Sequence, residues 1–357
     1  MTKEELNNYI ALEDCTLVEA MKKIDINAKG VLFVVNENRE LIGVVTDGDV
    51  RRWIIRTGKL DSQIHQLMNQ LPKYVYEDAR QQSNSLFGKY KITAIPVITK
   101  SGQLEDVIFP DHKDEVDKKN EHTLNDVPVV IMAGGKGTRL YPYTKILPKP
   151  LIPIGDIPIM ERIINRFQEF GTQEFWITVN YRKNMIISYF ADLQEQYLLH
   201  YVEENQPLGT AGSLHLLQEE FRQPFIVTNC DILIQADYAD IYRYHCESGN
   251  ALTIVTALKN MVVPYGVIHP LENGGISSME EKPKLSYFVN TGFYVLNEDL
   301  LEKVPQDMFF HMTDLADLLL KEGVQIGMYP ISEESFLDMG EFEEMHKMER
   351  KLELKTE

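Results

Sequence analysis

The 357-residue sequence contains no apolar run that approaches the roughly 20 residues of a membrane-spanning helix. Its first ten residues, MTKEELNNYI, contain neither the basic region nor the apolar stretch of a signal peptide. The three cysteines, Cys15, Cys230 and Cys246, are too few and too irregularly spaced for a disulfide framework or a zinc site. We therefore expect a cytoplasmic protein that has no membrane partner.

Positive charge is also scarce, because 36 lysines and arginines face 54 aspartates and glutamates, for a net charge of −18. Nucleic-acid binders carry a basic surface, so we expect no nucleic-acid partner. Residues 131–155, IMAGGKGTRLYPYTKILPKPLIPIG, run against this trend. They combine glycines with Lys136, Arg139, Lys145 and Lys149, which predicts a local site for an anionic ligand.

A change in composition divides the chain. Residues 111–126, DHKDEVDKKNEHTLND, are charged and almost free of large apolar side chains, which is typical of a linker. An exposed helix is the alternative, and it would separate two domains equally well. We predict an N-terminal module at 1–115, a linker at 116–126 and a larger domain at 127–357.

The N-terminal module contains an internal repeat. Residues 31–49 and 94–111 each read as an apolar strand, a polar turn and a second apolar strand, and a predicted helix precedes each pair. Val34–Val35 aligns with Val97–Ile98, and Leu41 aligns with Leu104. A unit that cannot bury its own sheet face predicts two copies packed together.

The repeat resembles a tandem pair of CBS motifs, an α+β module that commonly binds adenosine nucleotides. In that family a Gly-apolar-apolar-Thr/Ser-x-x-Asp segment holds ribose and phosphate, and Gly43, Thr46 and Asp49 in GVVTDGD fit it. The second copy, DVIFPDH, lacks the glycine and the threonine, so the resemblance implies at most one orthodox nucleotide site. A purely structural or dimerising module is the alternative.

The larger domain alternates predicted strands and helices. Apolar segments at 127–132, 175–180, 225–229 and 251–258 are strand candidates, and a helix begins near Pro158. Asn273–Gly274 predicts a hairpin, Thr313 is the expected cap of a helix at 314–322, and 341–354 reads as a final helix. This order predicts an α/β fold with a Rossmann-like, mostly parallel sheet that binds ligands at the carboxyl ends of its strands.

The glycine-rich stretch fits neither common nucleotide fingerprint. The P-loop pattern cannot be threaded through AGGKGTRL, and Leu140 stands where a dinucleotide fingerprint needs its last glycine. Glycines directly after a strand still allow the backbone to approach a polyphosphate. Arg139 and Lys149 add two cations that suit charge developing on a phosphate during a reaction.

The segment AGGKGTRLYPYTKILPKPLIPIGDIPIMERII resembles the signature of the sugar-1-phosphate nucleotidyltransferases, whose fold is GT-A-like. The similarity covers about 127–345 and includes PLGTAGSL (207–214), TNCD (228–231), PYGV (264–267), EEKP (280–283), NTGFYVL (290–296) and FLDMG (336–340). Cys230 replaces a common glycine, and Phe336 stands where tryptophan is frequent.

The resemblance implies transfer of a nucleoside monophosphate from a nucleoside triphosphate to a sugar-1-phosphate, with Mg²⁺ as cofactor. Arg139 and Lys149 are then the catalytic cations, and Asp231 and Asp338 are the metal ligands. The implied nucleotide-binding residues are Ala133, Gly134, Gly135, Lys136, Gly137, Thr138, Asn180, Glu203, Glu204, Gly209 and Thr210. The implied sugar-phosphate-binding residues are Gly266, Glu281, Lys282, Asn290, Thr291 and Gly292.

The base and the sugar are the finer questions. A carboxylate at Glu203 or Glu204 suits the N1–H and N2–H₂ donors of guanine, which favours GTP over a thymine nucleotide. Two solvated glutamates are the alternative. A CBS pair ahead of this domain resembles the guanylyltransferases that activate glucosamine-1-phosphate at the start of bacterial legionaminic acid synthesis. Mannose-1-phosphate guanylyltransferase, glucose-1-phosphate thymidylyltransferase and an inactive regulatory subunit are the alternatives. We expect a homo-oligomer.

Overall fold

The computed structural model describes residues 2–27, 29–90, 92–110, 124–193 and 197–353, and these form two compact units. The first unit contains the described residues up to 110 together with 258–287 and 332–334. The second contains the described residues of 124–257, 288–331 and 335–353. Residues 116–123 of the predicted linker lie outside the described residues. Leu124 is buried in the second unit, where its N–H donates to the Phe170 carbonyl at 2.9 Å.

The N-terminal part of the first unit contains two three-stranded sheets, β1-β2-β3 and β4-β5-β6. Its elements are α1 (Lys3–Asn7), β1 (Ile10–Leu12), α2 (Leu17–Asn27), β2 (Val31–Val35), β3 (Leu41–Thr46), α3 (Asp47–Thr57), β4 (Val75–Tyr76), α4 (Ser83–Tyr90), β5 (Ile95–Ile98) and β6 (Leu104–Ile108). In each sheet the first pair of strands is parallel and the second pair is antiparallel. The predicted repeat is therefore present in the backbone.

The two sheets share one irregularity in strand register. The pairing shifts between Val34 and Val35 in one sheet and between Val97 and Ile98 in the other, which are the positions that the sequence repeat aligned. Gly43 lies opposite Val34, while Asp106 occupies the corresponding place opposite Val97. Side chains from both sheets enter a common core, as the repeat predicted.

The second unit contains a seven-stranded sheet of order β11-β10-β7-β12-β17-β14-β18. Its strands are β7 (Val129–Met132), β10 (Glu174–Val179), β11 (Leu198–Glu203), β12 (Phe225–Asn229), β14 (Leu252–Val262), β17 (Lys284–Leu296) and β18 (Ile326–Ile331), and β14 and β17 continue into the first unit. The strand pairs β10–β11, β10–β7, β12–β7 and β14–β18 are parallel, whereas β12 and β17 are antiparallel. The predicted α/β fold with a mostly parallel sheet is confirmed.

Helices cover both faces of this sheet. They are α5 (Ile159–Gln168), α6 (Lys183–Asp192), α7 (Tyr238–Ser248), α8 (Met312–Lys321) and α9 (Phe342–Glu353). Successive side chains of β7 point to opposite faces of the sheet. Val129 and Ile131 are part of one hydrophobic core cluster, and Val130 and Met132 are part of another, so both faces are buried. Short pairs complete the unit: β8 (Pro153–Ile154) with β9 (Ile157–Pro158), and β13 (Ile232–Ile234) with β19 (Phe336–Asp338).

Two local predictions have different outcomes. The hairpin expected at Asn273–Gly274 is present as β15 (Gly266–Pro270) and β16 (Ile276–Glu281), and Gly274 has the positive φ of 79° that such a turn needs. The expected cap at Thr313 is wrong, because α8 begins at Met312 and His311 is its N-cap. Within the described ranges, no helix has the length and hydrophobicity that a bilayer-spanning segment requires.

Candidate active site

A cavity of about 510 Å³ in the second unit lies where three neighbouring strands end. Met132, Thr178 and Asn229 stand at or next to the carboxyl ends of β7, β10 and β12, and they are direct register partners in the sheet. All three side chains line the cavity. Its position agrees with the rule that open α/β sheets bind ligands at strand carboxyl ends.

The loop that follows β7 forms one wall, and two of its glycines are required by their neighbours. A Cβ on Gly134 would stand 2.6 Å from a carboxylate oxygen of Glu204. A Cβ on Gly137 would stand 2.9 Å from Thr144 and 3.0 Å from the Lys149 Cβ, and Gly137 also has a φ of +64°. The loop can therefore approach both Glu204 and Lys149 only because these positions lack side chains.

Four predicted charged residues converge beside this loop. Lys149 is only 7% exposed, and its ammonium group donates to the Asp231 carboxylate in an ion pair. Pairing of β13 with β19 brings Asp338 next to Asp231, because the Met339 N–H donates to the Asp231 carbonyl at 2.8 Å. Arg139 and Asp338 both lie beside Gly340. A Cβ added to Gly340 would stand 3.1 Å from the Asp338 carboxylate and 3.4 Å from an Arg139 guanidinium nitrogen, so these two charged groups are close together.

Asp338 has a perturbed pKa in this cluster. Burial raises the pKa of Asp338, and the neighbouring negative charge of Asp231 raises it further. Lys149 and Arg139 oppose this shift without cancelling it. Two neighbouring carboxylates are a suitable donor pair for a hard divalent cation.

The two candidate base-reading glutamates have different environments. Glu203 ends β11 with its side chain about half exposed and paired with Lys183 at 2.5 Å. Glu204 is 7% exposed and lines the cavity. Burial raises the pKa of the Glu204 carboxyl, and a hydrogen bond with the Leu208 backbone partly opposes the rise. Asn180 holds this strand end by donating from its side chain to the Glu204 carbonyl at 2.7 Å.

A second glycine loop, residues 207–212, forms the opposite wall together with a segment that sequence reasoning missed. Pro207, Leu208, Gly209 and Thr210 line the cavity, as do Phe309 and His311. The misplaced helix cap hid His311, and Phe309 carried no motif that pointed to it. Thr178 was also missed, and Asn229 was quoted only as part of TNCD (228–231), although their places at strand ends were a usable signal.

The predicted sugar-phosphate residues divide between the two units. Asn290, Thr291 and Gly292 belong to the second unit, where a Cβ on Gly292 would stand 2.4 Å from the Asn229 amide nitrogen. The Thr291 hydroxyl is buried and donates to the Val255 carbonyl at 2.7 Å, so its backbone is what remains for a ligand. The other three, Gly266, Glu281 and Lys282, lie on and just after the β15–β16 hairpin in the first unit.

The departure at Cys230 is accommodated locally. Cys230 is not among the described non-glycine residues with positive φ, so the backbone there does not require a glycine. Its side chain is buried, and burial raises the pKa of the thiol to about 12. Cys230 is therefore a packed, protonated thiol beside the carboxylate of Asp231. Phe336 packs against the main core.

The first unit has a separate cavity of about 610 Å³ at the predicted adenosine site. Thr46 and Asp49 line it, and together they cap α3, with the Thr46 hydroxyl donating to the Asp49 carboxylate at 2.6 Å. Lys29 and Lys73 are also in its wall. Gly43 lies in β3 beneath Met68, where a Cβ would stand 2.6 Å from the sulfur atom.

Residues 128–355 match the family model described as nucleotidyl transferase, and residues 1–56 match that of the CBS domain. The first match spans well over half of the chain. The chain therefore belongs to the nucleotidyl transferase family and carries a CBS domain at its N-terminus.

Two curated relatives each match about half of the chain. The chain is 32% identical to the mannose-1-phosphate guanyltransferase of Schizosaccharomyces pombe over 184 residues, which are 49% of this chain and 51% of that protein. It is 32% identical to the UTP–glucose-1-phosphate uridylyltransferase of Synechocystis sp. over 215 residues, 55% of each protein. The chain thus spans about half the length of these curated relatives.

Among solved structures, the chain is similar to HddC from Yersinia pseudotuberculosis, with a TM-score of 0.51 and 27% identity over 63% of this chain and 99% of that one. The structure of HddC complexed with GMP-PN gives a TM-score of 0.50 and 26% identity over the same shares of the two chains. The matched 63% of the chain thus shares its fold with a protein whose structure was also determined in complex with GMP-PN.

The raised pKa of Glu204 predicts a pH-dependent stability difference. The folded state disfavours the ionised form of the Glu204 carboxyl. The stability that Glu204 contributes is therefore fully present below its ordinary pKa of 4.5, and it is lost as the pH rises through the raised pKa of the folded state. We expect Glu204→Gln to raise the urea midpoint of the ligand-free protein at pH 7.5, with a gain that shrinks towards pH 4. Urea unfolding at both pH values measures this. Glu203→Gln is the matched control for losing one charge, and an equal gain in that variant would contradict the prediction.

Proposed function

We propose that the chain transfers a nucleoside monophosphate from a nucleoside triphosphate, with GTP favoured, to a sugar-1-phosphate and releases pyrophosphate. The observation that carries this proposal is the convergence of Arg139, Lys149, Asp231 and Asp338 beside the first glycine loop, at the carboxyl end of a parallel sheet. Family membership supports the same class of reaction. An inactive regulatory subunit would have no reason to keep a buried cation and two carboxylates in this arrangement.

The proposed reaction is attack at the α-phosphorus. An oxygen of the sugar phosphate forms a bond to that phosphorus as the bond to the β-phosphate oxygen breaks, and the electron pair leaves with pyrophosphate. Both reactants are polyanions, so the site must supply positive charge before they can meet. Arg139 would hold the triphosphate and the leaving pyrophosphate. Lys149, kept in place by its ion pair with Asp231, would face the charge that builds on the α-phosphate.

The donor set fits Mg²⁺. Asp231 and Asp338 offer oxygen ligands only, and the raised pKa of Asp338 marks a place where a cation would relieve repulsion between the two carboxylates. Mg²⁺ takes six oxygen ligands, so two carboxylates would leave positions for phosphate oxygens and water. When bound there, the ion would neutralise phosphate charge and orient the nucleotide.

Glu204 favours guanine as the base. It is a buried carboxylate in the cavity, and burial raises its pKa. The N1–H and N2–H₂ groups of guanine are two donors that would suit its ionised form. The neighbouring HddC structure with GMP-PN supports this choice. Glucosamine-1-phosphate as the acceptor, within legionaminic acid synthesis, rests on the CBS-linked layout alone. Mannose-1-phosphate is the second candidate, favoured by the guanyltransferase relative.

A substrate panel tests the reaction. Pyrophosphate release with Mg²⁺ is measured for four nucleoside triphosphates against glucosamine-, mannose-, glucose- and N-acetylglucosamine-1-phosphates. We expect turnover with GTP to exceed that with each other nucleotide by at least about 100-fold, since a site built to pair with hydrogen-bond donors rejects bases that lack them. Absence of turnover in every combination would contradict the enzyme proposal, and preference for another base would contradict the role of Glu204.

The metal proposal predicts a charge-specific loss. Asp231→Asn keeps the shape of the side chain but removes the charge that pairs with Lys149 and would bind the cation. We expect turnover to fall by at least about 100-fold, the size of effect seen when one electrostatic contact to a transition state is removed. Circular dichroism checks the fold, and Asp156→Asn, which alters a carboxylate with 89% of its side chain exposed, is the control. Near-normal turnover in the first variant would contradict the proposal.

The N-terminal cavity is proposed to take an adenosine nucleotide. Its support is the wall that combines Thr46 and Asp49 with the cations of Lys29 and Lys73. Calorimetry of the full chain with AMP, ADP and ATP, at saturating GTP so that the other cavity is filled, should show binding of one of them. Thr46→Val removes a hydroxyl that lines the cavity and should weaken that binding. Absence of heat with all three nucleotides would contradict the site.

A further inference from the structure

Residues 307–311, here called the Phe309 loop, form part of the cavity wall and present an exposed ring. The loop connects a short 3₁₀ helix (Glu298–Lys303) and the residues after it to α8. Phe309 is 62% exposed although it lines the cavity. Among the described lining residues, only Phe309 and His311 carry aromatic rings. An exposed phenyl group at the mouth of a polar cavity is not explained by packing of the core.

The backbone of this loop is held firmly against the second glycine loop. The Phe310 carbonyl accepts from the N–H groups of Ala211 and Gly212, each at 3.0 Å, and the Phe310 N–H donates to the Leu208 carbonyl at 2.9 Å. The Gln206 side-chain amide donates to the Asp307 carbonyl at 2.8 Å. The position of Phe309 is therefore set by hydrogen bonds on both sides of it.

The two glycines of the facing loop are required by this approach. A Cβ on Gly209 would stand 2.5 Å from the Phe310 carbonyl oxygen, and a Cβ on Gly212 would stand 2.5 Å from the Met308 carbonyl oxygen. Gly209 also has a φ of +82°. The second glycine loop thus has a structural task besides any contact with the nucleotide, because it lets the Phe309 loop lie close to the cavity.

The ring itself is also oriented. Phe309 contacts His311 edge to face, with ring centroids 4.7 Å apart and planes at 80°. Two hydrogen bonds hold His311. The backbone N–H of Thr210 donates to the His311 Nδ1 at 3.4 Å, and the backbone N–H of His311, the N-cap of α8, donates to the Asp314 carboxylate at 2.8 Å. An edge-to-face contact leaves a face of the phenyl ring open.

We propose that Phe309 stacks on the base of the nucleoside triphosphate and thereby sets its affinity. The proposal rests on the proposed function, which places the nucleotide in this cavity. Stacking on an aromatic ring tolerates every base, because each base has a π-face, and a ring held in advance loses little freedom on binding. Glu204 then supplies discrimination between bases, while Phe309 supplies affinity that is greater for the larger purines.

The test measures KM for GTP and UTP at saturating sugar-1-phosphate, and the Kd of GTP by calorimetry, in Phe309→Ala, Phe309→Leu and Phe309→Trp. We expect the alanine variant to raise KM and Kd for GTP by about tenfold, in the lower part of the range for base–aromatic stacking. In the alanine variant the rise in KM should be smaller for UTP, and kcat should stay within about twofold of that of the unaltered chain. Phe309→Leu should recover only part of the affinity for GTP, and Phe309→Trp should retain it. Met308→Ala is the control, because Met308 is 57% exposed in the same loop but does not line the cavity.

Several outcomes would overturn the stacking. The first three are an unchanged Kd for GTP in Phe309→Ala, full affinity for GTP in Phe309→Leu, and a loss of affinity in Met308→Ala equal to that in Phe309→Ala. The other two are a rise confined to the KM of the sugar phosphate and no binding of GTP to the unaltered chain. Failure of the proposed function looks different. An unaltered chain that binds GTP with a Phe309-dependent Kd, yet releases no pyrophosphate with any acceptor, would support the stacking and contradict the reaction.

Discussion

The ion pair between the buried Lys149 and the partly buried Asp231 is the interaction on which the site depends. A buried lysine is stable only beside an opposite charge, and removing one partner of such a pair costs about 3–5 kcal/mol because the other charge remains unpaired. The pair connects the segment after the first glycine loop to the residues after β12, and pairing of β13 with β19 adds Asp338. The two carboxylates therefore lie beside the two cations, Lys149 and Arg139, whose positive charge suits polyanionic substrates.

A second constraint is close approach between backbone segments, which only glycine permits. Gly134 lies against the Glu204 carboxylate, and Gly209 and Gly212 lie against the carbonyls of residues 308 and 310. Both cavity walls are therefore built from positions without side chains, and the polar groups that they approach remain near the cavity. This explains why a glycine-rich sequence can form a rigid site: the missing side chains are replaced by contacts from the neighbouring segment.

Much of the fold was readable because its signals are local. The strands at 127–132, 175–180 and 225–229, the hairpin at Asn273–Gly274 and the repeat in the N-terminal module follow from apolar runs and turn residues. The cap at Thr313 was wrong, because His311 forms the capping box with Asp314 and its usual rank as a cap is low. The same error hid the Phe309 loop, whose role depends on contacts with residues about 100 positions away.

The sequence by itself determined the class of fold, the family, the first glycine loop and the charged residues that stand beside it. Those features depend on residue type and on neighbours within one or two elements. Only the tertiary structure decided that Glu204 rather than Glu203 lines the cavity, that Lys149 pairs with Asp231, and that Phe309 and His311 complete the wall. Adjacent residues of a strand point to opposite faces, and segments distant in the chain meet only when the sheet is assembled, so burial and pairing are properties of the folded chain.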